Sequence, residues 1–565
     1  EIVATIGGGI NNRAATESST VGGGADNYAG GGSGWATVGG GSGNQATGTY
    51  ATVAGGSGNV AQRAGFVGGG DNNRMGAAGS YGTIAGGQNN YIESSQSHGT
   101  IGGGKGNFVT AGTNTIAGGA SNVLFAPFGF IGGGFDNFSQ GSYGTVAGGR
   151  GGVVDGNYGA IGGGWVNYAG GAATVAGGIS NRADGGYGTI GGGASNEVAG
   201  TRGVVAGGAR NRALASDAAI GGGWGNVVTN AGARGTIGGG QNNLVSGGGA
   251  TVGGGDDNQA TAIDATVGGG SGNVASEIIA TVGGGIDNRA ATESSTVGGG
   301  ANNYAGGGSG WATVAGGSYN QATGNYATVA GGSGNVALES CFVGGGADNG
   351  MIGGSTHSAI GGGQNNLIWG SHSAVGGGFS NIIWGAYGAI GGGLRNYCLS
   401  AGAVAGGMSN WVTGTYGMVP GGFSNRASGA YSFAAGRRAY AAHDGAFVWA
   451  DSTDEEFEST TNDQFNVRAA GGARFVGSTN LGSLTVSPLH SGDNKSSQIY
   501  LTEGDTGTYG MFLKYDGGAG MNQFQILGKN GATTSGPHLV VARDSTLVGV
   551  GRTPTTNPLE VEGDA

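Results

Sequence analysis

An asparagine returns at a fixed place in this chain: Asn12, Asn27, Asn44, Asn59, Asn73 and onward. A side-chain amide offers two N–H donors and a carbonyl acceptor. Stacked at the spacing of neighbouring strands, such amides can hydrogen-bond along an axis as a ladder. The spacing thus points to structural chemistry rather than a binding code. The second recurrent group is aromatic. Trp369 and Trp384 fall at one outward position of adjacent repeats, next to Tyr387 and near Trp411. An aromatic row at a surface can hold a glycan or a protein partner, or pack between copies of the chain. Other chemistry is thin. His98, His357, His372, His443, His490 and His538 show no metal-ligand spacing, and His357 and His372 are expected on one solvated face. Phrases of the form G-x-G-x-x-G arise by chance in a chain with 144 glycines, and none opens a helix, so no dinucleotide site is expected. No catalytic constellation stands out. An enzyme is not expected, and no cofactor or metal is called for.

What positions these residues is the repeat itself. From Thr5 to Phe447 the phrase T-V-G-G-G-x-x-N-x-A recurs roughly 29 times at a period of about fifteen residues, the signature of a solenoid. In the unit Thr266 to Ala275, Val267 alternates with Thr266 and Ala275 with Val274, as in short strands. Two residues after the Asn the side chain is small or apolar (Ala14, Ala29, Ala61, Val109, Val198, Ala290), which reads as inward. One residue after it the side chain varies freely (Arg13, Tyr28, Gln45, Phe108, Glu197, Leu244), which reads as outward. Glycine suits corners that need positive φ. A turn this short also predicts a narrow lumen, where Gly and Ala fit and bulky side chains do not. Residues 4–75 closely match 280–351, a segmental duplication that a solenoid tolerates because each turn meets only its neighbours.

Composition narrows the class. Charged residues are 10% of 565 and the net charge is -11, which argues against a nucleic-acid surface. Six prolines exclude collagen, and the abundance of Val and Ile excludes simple disorder. No apolar run is long enough to span a bilayer as a helix. Phrases such as Asp26-Asn27 and Asp348-Asn349 are similar to calcium-binding β-rolls only in part, because Asp is sporadic here. Cys341 and Cys398 lie four repeat units apart, well over about 10 Å along the axis at strand spacing, so free buried thiols are expected.

Many outward positions are apolar, among them Val60, Phe108, Phe138, Val227, Leu244, Val274, Ile382 and Trp411. A continuous apolar strip calls for a cover, and another copy of the same chain is the simplest one. The repeat resembles the head repeats of YadA-like trimeric autotransporter adhesins, S-V-A-I-G-x-x-A-x-A-x-G. Residues 432–441, Ser-Phe-Ala-Ala-Gly-Arg-Arg-Ala-Tyr-Ala, fit that pattern best. The resemblance implies an all-β, left-handed parallel β-roll assembled as a homotrimer on a surface fibre. Val548-Gly549-Val550-Gly551-Arg552-Thr553-Pro554, with Leu559-Glu560-Val561-Glu562-Gly563 after it, resembles a segment of phage tail fibres and bacterial surface fibres. There it often precedes an intramolecular chaperone that cuts itself off, which implies a maturation end at Ala565.

Three regions are expected: a rod over 1–451, an acidic neck over 452–482, and a β-rich knob or base over 483–565. Within the knob, strands are predicted near Ser497–Leu501, Tyr509–Tyr515, Gln523–Leu527 and Leu539–Ala542. The leading expectation is a homotrimeric extracellular fibre, on a cell surface or virion, that binds an unidentified surface receptor or glycan. It has two rivals. One is a purely structural filament subunit. The other is an ice-binding face formed by the Thr column (Thr5, Thr20, Thr37, Thr52), which lacks the paired T-x-T grid.

Overall fold

The computed structural model describes residues 3–76, 81–93, 98–110 and 112–473, and the strands 496–503, 509–516, 523–530, 533–542, 548–550 and 559–561. The chain divides into two units, Glu1–Arg468 and Ala469–Ala565.

The first unit is a parallel β-solenoid of about 30 turns. The turn beginning at Thr251 shows how a turn is built. Thr251–Val252 forms one two-residue strand and pairs in parallel with Thr266–Val267 of the next turn. Asp256 makes a single bridge to Ser271. Gln259–Ala260 forms a second strand, paired with Val274–Ala275. Three parallel ladders therefore climb the rod, and each turn hydrogen-bonds only to the turns before and after it. Thr251 N–H donates to Ala265 O at 2.9 Å, Asp256 N–H to Gly270 O at 2.9 Å and Gln259 N–H to Asn273 O at 2.8 Å.

Alternation decides which side chains go inside. Val252, Ala260, Val267 and Ala275 are fully buried, while Thr251 and Val274 keep partial exposure. The lumen is roomier than the repeat length suggests. Met75, Ile84, Ile92, Ile101, Leu124 and Ile131 are all fully buried, which corrects the expectation that only Gly and Ala fit. The reason is compensation within the turn. Where the strand after the Asn carries a small inward residue, the residue before the Thr is also modest, as with Ala260 and Ala265. Beside several large ones, such as Leu124 and Val198, glycine takes the place, while Ile368 is accompanied by Ser373. A Cβ on Gly129 would meet Leu124 Cδ2 at 2.7 Å, and one on Gly203 would meet Val198 Cγ1 at 2.9 Å. Packing density is held by trading a methyl between two positions.

Beyond the glycine phrase itself, left-handed conformations recur at two places in the turn. The one after the bridge carries residues that tolerate positive φ, such as Asn242, Asp257 and Asp287 (φ 52°, 55° and 52°). The corner before the Thr strand often carries an aromatic instead: Tyr143, Tyr158, Trp311, His372 and Tyr387 have φ between 57° and 62°. Such a conformation costs a bulky residue about 1–2 kcal/mol, and stacking along the axis offsets part of it.

Stacking outlasts the repeat. Phe447–Ala450 pairs with Phe465–Arg468, so parallel pairing continues through Arg468, past the expected rod end at 451 and into the expected neck. Backbone ladders need extended segments at the right spacing, and Phe465-Asn466-Val467-Arg468 supplies one although the glycine phrase has stopped.

The second unit, described by itself, is a small sheet. Ser496–Glu503, Tyr509–Asp516, Gln523–Asn530 and Thr533–Ala542 form an antiparallel meander. Val548–Val550 adds to it antiparallel, and Leu559–Val561 pairs in parallel with that strand. The four strands read from the sequence each fall within one of these. Residues 474–495, the Gly551 to Pro554 phrase and Ala565 lie outside the described residues. Among the described residues, no helix is long and apolar enough to cross a membrane.

Candidate functional site

The asparagine column is a mixed ladder in which side chains bond mostly to backbone. Asn258 Nδ2 donates to Gly254 O of its own turn and Gly270 O of the next, both at 2.8 Å. Its Oδ1 accepts from the backbone N–H of Asn273 at 3.0 Å and from Asn273 Nδ2 at 3.1 Å. The same pattern runs through Asn27, Asn44, Asn59 and Asn73, and from Asn12 at the start. Direct amide-to-amide bonds occur at some steps only, such as Asn90 Nδ2 to Asn73 Oδ1 at 3.0 Å. Asn27, Asn44, Asn59 and Asn73 are buried, so these amides face no ligand. Each satisfies one carbonyl that the glycine corner leaves without a strand partner, such as Gly254 O, and the N–H of the next Asn.

The four aromatics read from the sequence occupy three separate columns. Trp369 and Trp384 stack with ring centroids 4.6 Å apart and planes 4° apart. Tyr387 belongs to the corner column, on top of His372, which stacks on His357 at 5.1 Å. Trp411 belongs to the strand after the Asn, stacked on Tyr397 at 4.8 Å. The offset from the Asn carries this division, since Trp411 follows Asn410 by one residue, Trp369 and Trp384 follow Asn366 and Asn381 by three, and Tyr387 follows Asn381 by six. The corner column also holds Phe128, Tyr143 and Tyr158 in a continuous stack, which the sequence reading did not single out. Rings stacked along the axis cover each other's faces and show their edges sideways. A row of this kind is a poor platform for a flat ligand except where a stack ends.

The outward column of the strand after the Asn is uneven. It is aliphatic or aromatic over long stretches, with Val60, Phe108, Phe138, Val227, Leu244, Val274 and Ile382 half-exposed. Single polar residues interrupt it at Arg13, Gln45, Arg74, Gln259, Arg289, Gln321 and Arg426, and at mid-rod charges follow one another. Tyr168, Arg182, Glu197 and Arg212 succeed one another in register. Arg212 Nε meets Glu197 Oε2 at 2.8 Å, and the Arg182 guanidinium lies 4.3 Å over the Tyr168 ring. Desolvation and a hydrogen bond to Asp155 push the Tyr168 phenol up to about 12. Charges here pair with each other and leave no basic stripe.

Near the end of the rod an open depression of about 290 Å³ is lined by Ser409, Trp411, Ser424, Asn425, Arg426, Tyr440 and Glu456. Among the described residues no group of three or more His, Cys, Asp and Glu side chains could hold a metal ion. Thr236, Thr251, Thr266 and Thr281 succeed one another in register as a single column, one Thr per turn.

Cys341 and Cys398 are buried free thiols. Burial pushes both above the usual thiol range, more than backbone hydrogen bonds pull them down. The thiolate is the reactive form. A thiol-counting reagent at neutral pH should therefore label neither cysteine in the folded chain and both in denaturant. Because the folded thiols hold their protons longer than unfolded ones, their contribution to stability is complete below the ordinary thiol range and fades as pH rises through the folded value. Fast labelling of the native chain would contradict the lumen described above.

The fold defines the class: a glycine-rich parallel β-solenoid with a small β-sheet unit after it. No protein-family model matches the chain, and no curated protein matches it.

Proposed function

We propose that the chain is an extracellular fibre protein that assembles as a homotrimer and acts in adhesion or receptor binding, on a bacterial surface or in a phage or injection-system tail fibre. One observation carries the reading: below the turn of Trp411 the strand after the Asn carries half-exposed apolar side chains, consecutive at Phe108, Val123, Phe138 and Val153 and again at Leu367 and Ile382, with nothing in the described chain to cover them. A strip about 10 Å wide along about a dozen apolar turns at about 4.8 Å each offers on the order of 600 Å² per copy, the low end of a stable interface. The resemblance to trimeric adhesin head repeats supports the same assembly. The second reading, a structural filament subunit without a receptor, is favoured by the regularity of the rod, where most side-chain chemistry serves the stack.

The solution mass of residues 1–565 by light scattering tests the assembly. Three chains per particle is the expected result. A monomer at micromolar concentration would sink the trimer and move weight to the filament reading.

A further inference from the structure

We propose that the last turns of the solenoid carry a saccharide subsite with Trp411 as its stacking platform. This rests on the adhesive reading above and names the receptor class. A pyranose presents an apolar ring face and a rim of hydroxyls, so its site needs an uncovered aromatic face beside donors and acceptors. Most aromatic columns of this rod fail the first condition. In the Trp369–Trp384 pair, ring centroids 4.6 Å apart leave the facing surfaces closed to a ligand.

The column that reaches Trp411 ends differently. Tyr397 covers one face of the indole. The residue in register on the other side is Arg426. Its guanidinium lies 4.8 Å over the Tyr440 ring one turn further on, and its Nε donates to Ser428 Oγ at 2.9 Å. Arg426 thus leans toward Tyr440, and Trp411, 46% exposed, borders the depression of about 290 Å³.

The rest of the lining supplies the second condition. Ser409 and Ser424 sit at left-handed positions after the bridge, with φ 57° and 54°, and bring two hydroxyls to one side. Glu456, exposed and outside every ion pair among the described residues, offers a carboxylate that accepts from sugar hydroxyls. The Arg426 side chain keeps its terminal N–H groups for a hydroxyl or an acidic substituent. Hydroxyls, one carboxylate and one guanidinium around an aromatic face form a set that complements a sugar better than an apolar or strongly charged partner.

Saturation-transfer NMR on the full chain, with methyl galactopyranoside and methyl galacturonide as millimolar probes, tests the subsite. Transfer to the ring protons of both is expected, with the acid held more tightly. Trp411→Ala should abolish transfer and Trp411→Phe should retain it, which separates loss of the platform from loss of the fold. Arg426→Gln should weaken the acid roughly tenfold and remove its advantage over the neutral sugar. Trp369→Ala should change nothing. Absence of transfer to the parent chain, or transfer that persists in Trp411→Ala, overturns the proposal. Light scattering reads assembly separately, so a failed subsite leaves the trimer standing, and a monomeric chain that still binds leaves the subsite standing.

Discussion

Asn258→Ala should destabilise the rod by on the order of 3 kcal/mol or more. The amide makes four hydrogen bonds, to Gly254 O, Gly270 O, Asn273 N–H and Asn273 Nδ2. Gly270 O keeps a backbone partner, since Asp256 N–H donates to it at 2.9 Å. Asn273 N–H and Gly254 O lose the only partners they have among the described residues, and an unsatisfied buried group costs about 1–3 kcal/mol. The damage should stay local, because turns couple only to neighbours. Hydrogen exchange should accelerate between residues 254 and 273 well before the ends of the rod respond. Asn258→Asp separates donor from acceptor. A carboxylate still accepts from Asn273 N–H, but its second oxygen would face two glycine carbonyls at 2.8 Å, where Asn places a donor. Ionisation is therefore disfavoured in the folded chain and the carboxyl held above the usual range. A raised folded value means stability that is intact below the ordinary carboxylate range and lost as pH rises through the folded one. Asn258→Asp should then approach the parent in acid and resemble Asn258→Ala at neutral pH. Equal denaturation midpoints for parent and Asn258→Ala would show that the ladder is incidental.

The contrast between backbone and surface explains what could be read from the sequence. Inward and outward positions were legible because a strand alternates and the repeat offers many samples of each position: Ala29, Ala61, Val109 and Val198 are all fully buried. The Asn position was legible for the same reason. Its bonding was not, since a fixed spacing shows that amides stack but not that a neighbouring corner leaves carbonyls open. The size of the lumen is not legible because it depends on pairs such as Leu124 with Gly129, five residues apart, whose side chains share one space inside the turn. The aromatic residues and their offsets from the Asn are in the sequence, but which faces stay uncovered is not. Trp384 stacks on Trp369, whereas the in-register neighbour beyond Trp411 is Arg426, and a one-dimensional pattern carries no trace of where a guanidinium leans.

Two adjacent glycines should behave in opposite ways. Gly270 has φ 92°, and a Cβ there would lie 2.0 Å from Gly285 O and 2.7 Å from Asn273 Nδ2. Both obstacles belong to the ladder itself, so neither can move without breaking it. Gly270→Ala should cost at least as much as losing the Asn, in the range where single substitutions prevent folding, about 4 kcal/mol or more. Gly269, one residue earlier, is the reverse case. Its φ lies outside the left-handed range, and the nearest atom to an added Cβ is Gly254 O at 3.9 Å. In the single chain, Gly269→Ala should stay within about 1 kcal/mol of the parent in a denaturation series. Yet this middle position is glycine in every turn from Gly8 to Gly421, while the position before it admits Ala54, Ala315 and Pro420. Steric need within the chain accounts for the third glycine of each phrase and does not account for the middle one at turns such as this. The pair of variants therefore reports on two different surfaces. If Gly269→Ala folds like the parent but no longer assembles in light scattering, the glycine column faces another copy. If it folds and assembles unchanged, the column's uniformity has no basis in contact, and the interface belongs to the apolar column alone.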